Sequence, residues 1–108
     1  MGMDVELQVI LDCPNAWPAQ VLLRQALDES GLVAVGIRVT VITSDEEARA
    51  VGFGGSPTFR VGGRDLFGPQ DSTGLACRVY LTAAGIRPLP ELEALRRALV
   101  STVDIAAG

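Results

Sequence analysis

Apolar and polar positions divide the chain into short segments of contrasting period. Val5 to Leu11 alternates at first and then turns continuously apolar, the pattern of a strand whose end is buried. From Ala19 to Ser30, Val21, Leu22, Gln25, Ala26 and Glu29 fall at helical spacing, and Gly31 follows as a C-cap. Val35 to Ile42 is β-branched and alternating, which predicts a second strand. A helix between two strands makes a βαβ unit with parallel strands and a right-handed crossover. Ser44 and Glu47 form a capping box that opens a short helix through Val51, ended by Gly52. Pro57 to Val61 and Arg64 to Phe67 read as antiparallel strands around Gly62-Gly63, a pair suited to the positive φ angles of a tight hairpin. Pro90 to Val100 reads as a helix, with Leu92, Leu95, Leu99 and Val100 on its inner face.

The stretch from Gly68 to Pro88 carries two signals. Leu75, Cys77, Val79 and Leu81 alternate like a strand with one buried face, whereas Asp71-Ser72-Thr73 has the chemistry to cap a helical turn. The pattern leaves a short strand or an irregular loop, and long segments of this kind often carry function. No repeat, linker or low-complexity tract interrupts the chain, so residues 1–108 read as one α/β domain of order β-α-β-α-β-β-α around a mixed sheet.

Composition narrows the chemistry more than the fold. Hydrophobic residues make up 48% of the 108, enough for one packed core, and with 5% aromatic that core is aliphatic. The net charge is -4 and the arginines are scattered, with Arg96-Arg97 adjacent, so no nucleic-acid partner is expected. Histidine is absent, which excludes Cys-His pairs, Ser-His triads and histidine metal sites. Met1 to Glu6 carries acids and no positive side chain, and the apolar run after it is one strand long. Neither a signal peptide nor a membrane span has that pattern, so the expectation is a cytoplasmic chain without a membrane partner. Two cysteines in a reducing compartment point to redox, metal or nucleophile chemistry, or to two inert buried thiols.

The two cysteines lie in suggestive surroundings. Cys13-Pro14-Asn15 follows the first strand, and Gly55-Ser56-Pro57-Thr58 precedes the hairpin, which carries Gly63-Arg64-Asp65; Cys77-Arg78-Val79-Tyr80 comes later. With these motifs the chain resembles the thioredoxin-like superfamily, and within it a group of small bacterial proteins labelled alkylmercury-lyase-like. The resemblance implies a thioredoxin-like fold, a cis peptide before Pro57, and a reactive thiol at Cys13. Ala16 stands where a dithiol enzyme of that superfamily has its second cysteine, so only Cys77 is left to complete a pair.

The residues and the resemblance together point to a thiol-dependent redox protein, either a monothiol reductase using Cys13 alone or an atypical oxidoreductase in which Cys13 attacks a disulfide and Cys77 acts as the resolving thiol. A disulfide-containing protein or a low-molecular-weight thiol would be its partner. Pro14, Asn15, Ser56, Pro57 and Thr58 would surround the substrate, and no cofactor is implied. The thiolate is the reactive form of cysteine, and the start of a helix favours it, while the adjacent Asp12 and a helix beginning only at Pro18 would weaken that help. A cis Pro57 would free the Ser56 backbone to pair with an extended substrate. Arg78 would favour a Cys77 thiolate. Trp17 is expected to anchor the first helix, and Arg64-Asp65 to lie on the hairpin surface. Two other readings stand beside this one: two thiolates holding a soft metal such as Cu(I) or a mercury-type ion, and a binding module of the same fold without turnover.

Overall fold

Local signals in the sequence dictate most of the secondary structure. A computed structural model describes residues 3–68 and 74–107, the stretch 103–107 by its helical backbone. The elements are β1 (Val5–Ile10), α1 (Ala16–Glu29), β2 (Ile37–Ile42), α2 (Asp45–Val51), β3 (Thr58–Val61), β4 (Arg64–Asp65), β5 (Tyr80–Thr82), β6 (Gly85–Arg87) and α3 (Leu92–Ala107). The main sheet has the order β2-β1-β3-β4, with β1 parallel to β2 and antiparallel to β3, and β3 antiparallel to β4. The architecture is therefore a mixed α/β fold with a central mixed sheet and three helices. No helix among the described residues is long and apolar enough to cross a membrane.

Alternation along β1 sends Val5, Leu7 and Val9 to one face of the sheet, where Phe59 and Val61 join them from β3. Ala19, Leu23, Ala26 and Leu27 of α1 and Leu95 and Leu99 of α3 close that core. A smaller cluster on the second face holds Ile42, Ala48 of α2 and Phe53, with Ile10 against it. On that face Glu6 is buried and charged, matched by Arg38 and by the Thr40 hydroxyl, which donates to its carboxylate at 2.7 Å. A buried charge persists only when paired in this way.

Several boundaries differ from the sequence reading. α1 begins at Ala16, not Ala19: the Ala16 N–H donates to the Cys13 carbonyl, and the Asn15 carbonyl takes the Ala19 N–H. Pro18 thus sits inside the first turn, where its missing N–H leaves no bond unmade. β1 stops at Ile10, leaving Leu11 exposed, and β2 starts at Ile37 because the Val35 N–H turns back to the Leu32 carbonyl. α3 begins at Leu92, and Val100 faces outward.

The stretch after Gly68 holds an extra hairpin, β5–β6, separate from the main sheet. The possible cap at Asp71-Ser72-Thr73 lies outside the described residues. Burial alternates from Cys77 to Leu81, Ala76 being exposed like Leu75, and its phase is opposite to the expected one. Leu75, Cys77, Val79 and Leu81 are exposed, and Arg78 and Tyr80 are the buried residues. Hydrophobicity is outweighed here by the Arg78–Asp65 ion pair and by two aromatic contacts of Tyr80, with Phe59 and Phe67, that only the inward phase can make.

Candidate active site

Three segments far apart in sequence meet at Ser56. The first is the turn between β1 and α1, where Asp12 takes a left-handed backbone (φ 59) that Asp tolerates better than most residues. The Cys13 N–H donates to the Ile10 carbonyl at 3.3 Å, which folds the cysteine back over the end of β1. Cys13 retains 9% exposure and packs into the main core cluster; its thiol is free. Pro14 beside it is exposed, and Asn15, the residue preceding α1, is half-buried and makes no side-chain cap.

The second segment is the loop into β3. The Ser56–Pro57 peptide is cis, and Ser56, Pro57 and Thr58 are all fully buried. The Ser56 hydroxyl accepts the Ile10 N–H at 3.1 Å, so this loop is pinned to the strand end that leads into Cys13. The Thr58 hydroxyl is spent on the Gly55 carbonyl.

The third segment is Ala76–Arg78, which lies along the loop as one step of parallel β ladder, with Cys77 opposite Ser56. The Ser56 N–H donates to the Ala76 carbonyl at 2.9 Å, and the Arg78 N–H donates to the Ser56 carbonyl at 3.0 Å. This corrects the expectation of a free Ser56 backbone: both of its groups are already bonded to the chain itself. Cys77 is exposed and unpaired with Cys13, and the reading of an inert buried thiol at that position does not hold.

The polar anchor of the third segment was not foreseen. Arg78 and Asp65 form an ion pair at 2.6 Å with side chains 3% and 8% exposed, so Asp65 is no surface hairpin residue. Arg78 therefore turns its charge away from Cys77 and toward Asp65. It also donates to the Thr58 hydroxyl at 3.3 Å and lies 4.9 Å from the centre of the Tyr80 ring. Gly55, at φ 112, receives this strand closely: a Cβ there would meet the Arg78 Cβ at 2.9 Å and its Cα at 3.2 Å. The signal in the sequence was the even phase of the run around Cys77, where Arg78 and Tyr80 alternate with apolar neighbours.

No family model, no curated protein and no solved structure matches the chain. The chemistry must be argued from the residues. Among the described residues no cluster of three or more cysteine and acidic side chains converges to hold a metal ion. Trp17 does not anchor α1; it is 69% exposed beside Val21, because the inner stripe of the helix is filled by Ala19, Leu23, Ala26 and Leu27.

Tyr80 closes the underside of the site by donating its hydroxyl to the Pro57 carbonyl. Burial pushes its phenol up from the ordinary 10.0, the Arg78 charge opposes this, and Asp65 adds to it. The folded chain therefore keeps a proton that the unfolded chain releases above about pH 10. The contribution of Tyr80 to stability is constant below that pH and falls above it, by up to about 1.4 kcal/mol per pH unit. Denaturant titrations across the alkaline range are expected to show this decline, and Tyr80→Phe is expected to flatten it.

Proposed function

We propose that the chain has a thioredoxin-like fold and acts as a thiol-disulfide oxidoreductase, with Cys13 as nucleophile and Cys77 as resolving thiol. The parallel β1–α1–β2 half, the antiparallel β3–β4 pair and the closing helix α3 support the fold. The observation that carries the chemistry is the register of Cys77 against Ser56, whose hydroxyl holds the strand end next to Cys13. Two free thiols, a buried Cys13 and an exposed Cys77, lie on segments that both bond to Ser56, and with no histidine in the chain to activate either they suit exchange chemistry better than hydrolysis.

Native protein treated with a small aromatic disulfide is expected to lose the two thiol hydrogens and form an internal Cys13–Cys77 bond. Cys77→Ser is expected to stop at a mixed disulfide on Cys13, visible by peptide mass mapping. Labelling of Cys13 only after unfolding would overturn the reading.

A further inference from the structure

The occupied Ser56 backbone bears on what the thiols react with, and the argument rests on the oxidoreductase reading above. An extended peptide that joins a sheet edge gains its affinity from main-chain hydrogen bonds. At Ser56 that edge is filled by Ala76–Arg78, through the Ser56 N–H at 2.9 Å and the Ser56 carbonyl at 3.0 Å. The filling strand is held firmly. Arg78 is anchored by the buried Asp65 pair, its backbone fits against Gly55 with no room for a Cβ, and Tyr80 ties the next turn to the Pro57 carbonyl. An incoming peptide would have to displace all of this before it made its first backbone bond. Cys13 itself offers only 9% of its surface. Beside Cys77 the outward face carries Leu75 and Val79, both exposed and apolar.

We propose that the substrate is a compact, low-molecular-weight disulfide, one that reaches Cys13 without pairing along the Ser56 edge, because the chain's own residues 76–78 fill that edge. The Cys13 thiolate attacks one sulfur of R–S–S–R, forming a Cys13–S–S–R bond and releasing RS⁻. The Cys77 thiolate then attacks the Cys13 sulfur, closing the internal disulfide and releasing the second RS⁻. The two protons lost by the cysteines balance the two thiolates released. Two molecules of a low-molecular-weight thiol reduce the internal disulfide and leave joined as their own disulfide.

The test compares two probes with one leaving group. One is a symmetric aromatic disulfide, and the other is a flexible peptide whose cysteine carries the same aromatic thiol. Release of the aromatic thiolate gives the rate, and peptide mapping gives the position of the adduct. The compact disulfide is expected to react at Cys13 at least about tenfold faster, the factor expected when two internal backbone bonds must break first. Gly55→Ala, which pushes the Arg78 backbone away, is expected to narrow that gap. Hydrogen exchange supplies a reading that needs no variant: the amides of Ser56 and Arg78 stay protected when the peptide is present in excess. Equal rates for the two probes, or loss of Arg78 protection in the peptide's presence, would defeat this inference and leave the oxidoreductase reading standing. If neither probe modifies Cys13 in the folded protein, the oxidoreductase reading itself is lost.

Discussion

Replacing Arg78 by alanine is expected to lower the stability of the domain by about 3–5 kcal/mol, the usual cost of breaking a buried ion pair from one side. The guanidinium and the Asp65 carboxylate are 3% and 8% exposed, so water screens neither charge. Without Arg78, Asp65 keeps among the described residues the Phe67 N–H at 2.9 Å, and the Thr58 hydroxyl loses a donor. Removing both charges is a different matter. Arg78→Met with Asp65→Leu is expected to recover most of the loss, because the cost lies in the stranded carboxylate more than in the missing attraction. Urea midpoints of the single and double variants decide it. A loss below about 1 kcal/mol for Arg78→Ala would mean that the pair is solvated in solution.

Phe59→Ala is expected to cost a similar amount, about 3–5 kcal/mol, through a different cause. Phe59 is fully buried on β3 opposite Leu7, and its ring meets Phe67 at 6.2 Å and Tyr80 at 6.1 Å, both edge-on. Truncation removes the transfer energy of the ring, opens a cavity and takes away two edge-on contacts, leaving Phe67 and Tyr80 to each other at 5.1 Å. Marginal stability of a domain this size is about 5–15 kcal/mol, so the variant would be close to unfolding at room temperature. Phe59→Leu, which retains most of the volume, is expected to lose far less. Chemical denaturation of the pair measures the difference, and equal losses would show that the ring's shape and edge contacts, not the volume filled, carry the effect.

What could be read from the sequence was local. The Ser44 hydroxyl accepts the Glu47 N–H, as the four-residue signature foretells, while the Glu47 carboxylate accepts the Thr43 N–H, one residue before the cap. Gly62 and Gly63 both take positive φ at the β3–β4 turn. The existence of α1 and the alternation of β1 were legible because each depends on neighbours in the chain, but the inner stripe of α1 is Ala19, Leu23, Ala26 and Leu27, and Val21, Gln25 and Glu29 are exposed. The phase of the run from Leu75 to Leu81 was not. A period of two says that alternate side chains share a face, and it does not say which face is inward. Here Asp65, thirteen residues earlier than Arg78, decides it. The occupation of Ser56 was hidden for the same reason, since nothing near Ser56 in the sequence announces that Ala76 and Arg78 will lie beside it. The start of α1 was misplaced because proline suits several positions in a first turn.

The tie between Ile10 and Ser56 spans 46 positions, and the one between Pro57 and Tyr80 spans 23. Contacts so distant along the chain form late, after the loops between them have closed. A ribosome releasing this protein from its amino end exposes Cys13 first and delivers Cys77 only after most of the domain has emerged. During that interval the earlier sulfur has no internal counterpart, so a mixed disulfide formed then with another molecule cannot be resolved within the chain.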